Sequence, residues 1–450
     1  MKTNWIREKR EELKISQFKM AKAIKVPSYI LSDWERGHSK PTNMQAILIK
    51  NFFKDYTSFF KKENISISKK RFERSPKRVK SLNNSKQRLE IFYQRNKKIK
   101  YETDPKLNAI MLFSGIGGLS LGFEMAGYNI IGHVEIVKAF NDIYRLNFPN
   151  SDYFGGDIRN ITNEQILALK KKYKEIAVIA GGPPCQGFSL AGKRNVFDPR
   201  NELFKDFARF ASIMQPKAIL LENVRTLLTM ESKDGSLVKE YVLESFDKAG
   251  YDLICNPINA MDYGIPQSRG RVIFIGLRKD ISANKKLLFP KPICGQGLTK
   301  EYKTFRDATK DLELLESGEV SENDPWHFAI VHPPHIIRML KGVPEGKSAH
   351  ENSDPKLRPS SGYNTTYKRI KWDEPCSTIS TNFSMISGSR NVHPINTRSL
   401  TIREAMRCQT FPDSFLLQGS LGSIRAGIGN AVPPLLAKYF ANWLKNLITD

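Results

Sequence analysis

From Leu107 onwards the chain alternates two kinds of segment. Short apolar runs, "LNAIMLF" (107–113), "YNIIGHVEI" (128–136), "IAVIAGG" (176–182), "KAILLENV" (217–224) and "RVIFIGLR" (271–278), have the length and the Ile/Val/Leu content of buried strands. Between them stand segments with helical spacing: "LSLGFEMAG", "KAFNDIYRLNF", "ILALKKKYK" and "ELFKDFARFASIM". "YFGGDI" (153–158) marks the end of a third strand. Near-continuous apolar strands alternating with helices predict a doubly wound, mostly parallel α/β sheet of Rossmann-like type, with helices on both faces.

On either side of this block the pattern changes. Residues 5–50 read as short helices. "WIREKREELK" places Trp5, Ile6 and Leu13 on one side, "SQFKMAKAI" starts at Ser16, and "SYILSDWERG" stops at Gly37. Helix, short turn, helix is the pattern of a DNA-binding unit whose second helix enters the major groove. From about Lys279 the strand–helix alternation fails, and residues 280–395 are rich in Pro, Ser, Asn and His. "RSLTIREAMRCQTFPDSF" and "AGIGNAVPPLLAKYFANWLKNLI" then restart a loop and an amphipathic helix. The expected organisation is therefore an all-α domain (1–60), a linker (61–105), an α/β domain (106–279), an irregular inserted region (280–395) and the end of the α/β domain (396–450).

Charge adds a partner to this picture. The formal net charge is +25, from 71 Lys and Arg against 46 Asp and Glu. Such an excess favours polyanions, nucleic acid first. Residues 61–100 carry 15 Lys and Arg against 3 Glu, which reads as a basic linker, apart from a short helical stretch "RLEIFYQR". The five cysteines, at 185, 255, 294, 376 and 408, form no C-x-x-C pair, which argues against a zinc knuckle or redox dithiol. The count and the polar start of the chain predict a reducing cytoplasm, and no run reaches membrane-spanning length.

Two loops carry candidate chemistry. "FSGIGG" (113–118) is a Gly-rich strand-to-helix turn of the sort that lets backbone approach a nucleotide-like ligand. Glu135 follows Gly115 by 20 residues at a strand end and suits two ribose hydroxyls; Asp157 suits an adenine amino group. The turn contains no Lys or Arg to cradle a phosphate. A phosphate-free adenosine ligand such as S-adenosylmethionine therefore fits better than NAD. In "GGPPCQGFS" (181–189) two glycines and two prolines end the strand and present Cys185 on a loop, where a nucleophile would be placed. Taken alone, Cys185 reads first as a loop cysteine with no task, and Glu222-Asn223 as a strand-end pair that caps the next helix.

Six motifs in order change that balance: "FSGIGG", "GGPPCQGFS", "ENV" (222–224), "QSRGR" (267–271), "RSLTIREAMRCQTFPD" (398–413) and "GNAVPP" (429–434). The set resembles the DNA (cytosine-5)-methyltransferases and spans Met111 to the C-terminal end. Met111 departs from the acid that this family often carries before "LF". The resemblance implies Cys185 as the nucleophile that adds to C6 of a flipped cytosine. It implies Glu222 at N3 and N4, Arg271 at O2 and orienting Glu222, and Arg269 assisting. For S-adenosylmethionine it implies a shell of Phe113, Gly115, Gly117, Gly118, Glu135, Asp157, Pro184, Asn430 and Val432, with no metal. Ser189, Lys193 and Arg200 are expected to touch phosphates from a mobile loop.

The N-terminal spacing (Arg7 to Pro41) resembles the phage-repressor helix-turn-helix, with Lys25 where a turn Gly is frequent. It implies Ser28, Tyr29 and Ser32 in the groove and Gln17 near a phosphate. The expected activity is methylation of C5 within a specific double-stranded DNA sequence, as the modification enzyme of a bacterial restriction–modification system. Residues 280–395 would read the target, and the N-terminal domain would control transcription. A DNA-binding regulator is the competing reading, and a tRNA-modifying relative fits less well with the large insert. A monomer on the methylation site, a dimer at an operator through the N-terminal domain, and a nucleoid-associated cytoplasmic location without membrane complete the expectations.

Overall fold

The computed structural model describes residues 4–449 apart from 14, 16, 25, 27, 63–85, 97–98, 185–201, 233–234, 296, 361–362, 364 and 389. The chain divides into two compact units. One comprises Lys97–Thr304, Glu374–Phe383 and Ala405–Asp450 and holds the sheet. The other comprises Met1–Asn96, Phe305–Asp373 and Ser384–Glu404.

The sheet unit follows from the apolar runs. Strands β1 (Asp104–Leu112), β2 (Tyr128–Val134), β3 (Asp152–Gly155), β4 (Val178–Gly181), β5 (Ala218–Val224), β6 (Tyr251–Asn259) and β8 (Gly270–Arg278) form one seven-stranded sheet in the order β3-β2-β1-β4-β5-β8-β6. The first five are parallel, and β8 runs antiparallel to both β5 and β6. A two-residue pairing of β7 (Gln267–Ser268) with β9 (Cys376–Ser377) lies outside it. The sheet is mostly parallel, as the alternation predicts, with one antiparallel strand, β8, inside the edge strand β6, which apolar content alone does not reveal.

Successive strand residues serve opposite faces. Ile110, Leu112, Ile219, Leu221, Val272 and Phe274 join one core with Ile166, Phe207, Phe210, Val242 and Phe246 of the helices Asn163–Lys172, Leu203–Met214 and Val238–Lys248. Ala109, Met111, Ala218, Leu220, Ile273 and Ile275 join the other with Leu119 and Phe123 of helix Gly118–Met125 and Leu436, Phe440 and Leu444 of helix Pro434–Thr449. Both faces are thus covered. β1 lies between β2 and β4, so the crossovers reverse at β1/β4, which is where such sheets bind ligands beyond their carboxyl ends.

In the other unit, α1 (Asn4–Glu12), α2 (Gln17–Ala23), α3 (Ser28–Arg36) and α4 (Asn43–Lys62) enclose a small core of Ile6, Ile15, Met20, Leu31, Trp34, Ile49 and Phe53. Glu35, 4% exposed, accepts from Arg10 at 2.7 and 3.0 Å and from Gln17 Nε2 at 2.5 Å, which ties three helices together. Gln17 is therefore engaged inside the unit rather than free for a phosphate. Ser32, expected in a DNA groove, is fully buried, because α3 turns Leu31, Ser32, Trp34 and Glu35 inward. The side chains of Ser28 and Tyr29 lie outside the described residues. Among the described residues no helix is long and apolar enough to cross a membrane.

Candidate active site

The glycine-rich turn follows β1 directly. Phe113, Gly115 and Gly117 have φ of 54°, 57° and 104°, in the left-handed region that a side chain tolerates poorly. The turn is locked from two directions. A Cβ on Gly118 would stand 2.3 Å from the Val432 carbonyl, so "GNAVPP" packs on the turn and glycine is needed there. Glu135, 7% exposed at the end of β2, accepts from Gly115 N–H at 2.7 Å through Oε2 and from Val137 N–H at 2.7 Å through Oε1. Burial pushes the Glu135 pKa up, against the pull of these backbone N–H groups.

Over Gly115 itself no atom of the described residues lies within 4 Å of where a Cβ would stand, so among them the turn is open. Asp157, beyond the end of β3, accepts from Arg159 N–H at 3.0 Å and pairs with the Arg159 guanidinium at 2.9 and 2.5 Å. This partner holds its carboxyl below the usual range. Ile136 is 62% exposed between Glu135 and Val137 and was missed by the sequence reading. An aliphatic residue directly after a strand-end acid is the only mark the sequence offers for it. Asn430 is exposed at the end of helix Leu421–Asn430, Val432 is buried, and Pro184 is half-buried. These residues fit a phosphate-free adenosine ligand: an open cradle, two strand-end carboxylates and an apolar surface beside them.

The second cluster stands at the carboxyl end of β5. In the β5–β8 register Glu222 opposes Ile273 and Val224 opposes Arg271. Glu222 and Arg271 are thus diagonal neighbours on one face. Arg271 Nε donates to Glu222 Oε1 at 2.7 Å, with both side chains largely buried at 16% and 11% exposure. Arg271 Nη1 also donates to the Gly270 carbonyl at 2.7 Å. Gly182, at the end of β4, lies close enough that a Cβ would stand 3.1 Å from Glu222 Oε2. Asn223 Nδ2 donates to the Pro183 carbonyl at 3.0 Å. The segment Gly182–Pro184 that leads to Cys185 is therefore anchored beside the Glu222 carboxylate. Cys185, Ser189, Lys193 and Arg200 themselves lie outside the described residues.

Arg269 lies close enough for the charges of Arg271 and Glu222 to act on it, while its described hydrogen bonds go to backbone carbonyls. It is 1% exposed, and its Nη1 and Nη2 donate to the carbonyls of Ile379 (3.3 Å) and Gly429 (3.1 Å). Burial and the charge of Arg271 push its pKa down. These hydrogen bonds also make it a clamp between three chain segments. Gln267, fully buried, completes the clamp: it accepts from Ile379 N–H at 2.9 Å and donates to Gln409 Oε1 at 2.8 Å.

Comparison with known proteins bears on this geometry. The family model for C-5 cytosine-specific DNA methylase matches residues 107–446. Type II methyltransferase M.DdeI of Desulfomicrobium norvegicum is 34% identical over 388 residues, covering 76% of this chain and 91% of that protein. Type II methyltransferase M1.HphI of Haemophilus parahaemolyticus is 36% identical over 347 residues, covering 76% of this chain and 88% of that protein. A solved E. coli structure of a candidate DNA modification methyltransferase encoded within a prophage superposes with a TM-score of 0.61 at 26% identity, covering 76% of this chain and 100% of that one.

Proposed function

The chain belongs to the C-5 cytosine-specific DNA methylase family and is an enzyme of that class, and from this premise we propose that it methylates C5 of one cytosine within a specific double-stranded DNA sequence, as the modification enzyme of a restriction–modification pair. The pairing with a nuclease rests on the Type II relatives. The observation that carries the site assignment is the Glu222–Arg271 pair with the Gly182–Pro184 segment anchored beside it.

The base is flipped out of the duplex, since C5 and C6 are not reachable in the stack. The Cys185 thiolate adds to C6 and makes C5 an enamine carbon. Glu222 partners N3 and N4, where charge develops, and Arg271 holds both Glu222 and O2. S-adenosylmethionine, when bound over the turn at Gly115 and against Glu135, Ile136 and Asp157, supplies the electrophilic methyl group. A base or water then takes the C5 proton, and the Cys185 sulfur leaves C6 with its electron pair. Residues 280–395 supply target recognition. The N-terminal helices form a second duplex-binding unit that acts on transcription, a role supported by the helix–turn–helix spacing.

Cys185→Ser tests the covalent step. A hydroxyl is far less ionised than a thiol near neutral pH, so labelled-methyl transfer is expected to fall below detection while DNA and cofactor binding persist. Turnover close to that of the parent refutes the role. Bisulfite sequencing of DNA from cells expressing the chain reads out the target; an unmodified genome overturns the assignment.

A further inference from the structure

Within the segment that charge alone marks as a tether stands a ten-residue helix, Lys86–Arg95. Its aromatic residues are not solvated. Phe92 is 7% exposed, and the Arg403 guanidinium lies over its ring at 5.2 Å. Arg403 is itself fully buried, and its Nε donates to Asp324 Oδ2 at 2.5 Å. The neighbouring Tyr93 Oη accepts from Trp326 Nε1 at 2.9 Å. The Arg88 guanidinium donates to the Ser321 carbonyl. The Arg403 N–H donates to the Trp326 carbonyl at 3.1 Å, which closes the circle. The helix thus grips the Ser321–Trp326 segment at two points and Arg403 at a third. A tether held only by attraction to phosphate has no reason to place an aromatic ring under a desolvated guanidinium.

We propose that helix Lys86–Arg95 is a working part of the target-recognition region, with Phe92 and Tyr93 as positioning residues that hold Arg403 and the Ser321–Trp326 segment in the geometry that binds the target duplex. The inference rests on the reading that this region recognises the target. Arg403 is buried and reads no base; it transmits the position of the helix to the segments around it. Glu222 and Arg271 stand on β5 and β8 of the sheet unit, and the grip lies wholly within the other unit. Loss of the grip is therefore expected in binding of DNA, not in the chemical step.

The test uses the full chain and steady-state transfer of labelled methyl to duplex DNA carrying the target. Phe92→Ala is expected to raise KM for DNA about tenfold, with kcat held within about twofold, on the scale of a desolvated cation–π contact. Phe92→Trp, which keeps a flat ring under Arg403, is expected to return most of the loss. If Phe92→Ala fails to fold, Tyr93→Phe, which removes only the acceptor of Trp326, is expected to raise KM several-fold. An unchanged KM in a folded Phe92→Ala, or in Tyr93→Phe where that is the variant tested, overturns the proposal. So does an equal fall in kcat. Asp324→Asn loosens Arg403 from within the recognition region. If it raises KM and Phe92→Ala does not, the helix is no brace although the recognition reading stands. If neither changes KM or the methylated site, the recognition reading itself fails.

Discussion

The two units are held together in different ways. The sheet unit has two continuous apolar cores, one on each face, and its strands satisfy their own backbone groups. Between Phe305 and Glu404 the described chain pairs mainly through isolated bridges, and its buried apolar residues, among them Phe305, Phe328, Leu340, Trp372 and Val392, sit on short helices and irregular segments. Buried charge stands beside them. Arg369 donates to the carbonyls of His393 (2.8 Å), Asn396 (2.7 Å) and Leu340 (2.9 Å). Arg398 donates to the Leu315 carbonyl at 2.6 Å and forms a two-point pair with Glu404 at 2.7 and 2.8 Å. His327, His332 and His393 are buried among these groups. The lesson is a general one. Irregular chain leaves carbonyls without ladder partners, and a guanidinium with five N–H donors is the side chain that can satisfy several at once. Arg269 does the same where irregular segments meet inside the sheet unit.

Four perturbations probe this contrast. The largest concerns chemistry that the sheet unit positions: Glu222→Gln is expected to slow single-turnover methyl transfer by about 10²–10⁴-fold. Unchanged rates would make Glu222 structural. Next, Glu404→Gln leaves the buried Arg398 without its counter-charge and is expected to cost about 3–5 kcal/mol, seen in denaturant unfolding and in faster hydrogen exchange confined to 305–404. The matching change in the sheet unit is steric. A Cβ on Gly122 would stand 2.3 Å from Ala437 Cβ and 2.4 Å from the Pro434 carbonyl, so Gly122→Ala is expected to cost about 1–3 kcal/mol in the same measurement. If Glu404→Gln costs no more than Gly122→Ala, buried charge is not what holds the irregular unit together.

The smallest effect is a mild acid shift. Burial lowers the pKa of His327 and His393 and brings that of His332 down to about 4; repulsion from Arg398 adds to this at all three, and the attraction of Glu404 opposes it at His327 and His393. A folded pKa below the unfolded one means that the unfolded chain binds the extra protons. This stabilisation is complete above about pH 6.5 and is lost as pH falls through the window towards about 4. At pH 6 each imidazole is expected to cost roughly 1 kcal/mol or less. Burial also lowers the pKa of His133 in the sheet unit. Hydrogen exchange at pH 6 should therefore accelerate first in 305–404; a uniform response would remove the distinction.

Much of the sheet unit was legible from local pattern. Apolar runs of strand length, helical spacing between them and glycines at the turn each act over a few residues, and they led to β1, β2, β4, β5 and β8 and to the crossover helices. Glu135 and Asp157 fell at the ends of β2 and β3 for the same reason, and Glu222 and Arg271 proved to be partners. Other readings failed or were incomplete where the deciding contact is distant in sequence. Ser32 looks like a surface serine in a short amphipathic helix, yet α3 turns it inward. Arg269 and Arg271 lie two residues apart in one motif, but one reaches backbone carbonyls of segments 110 and 160 residues away, and the other reaches a carboxylate. The helical stretch near Phe92 was visible in the linker; what it packs against was not.

By itself, then, the sequence determined most elements of the sheet, though not the edge strand β6, together with their alternation and the residue types at the strand ends, because hydrophobic period, turn chemistry and strand length are local properties of the chain. The tertiary structure decided which arginines face a carboxylate and which face the backbone, that Glu135 is tied to Gly115, and that Phe92 lies beneath Arg403. Those outcomes depend on which polar groups the completed fold leaves without partners, and that is settled only when segments far apart in sequence have packed together.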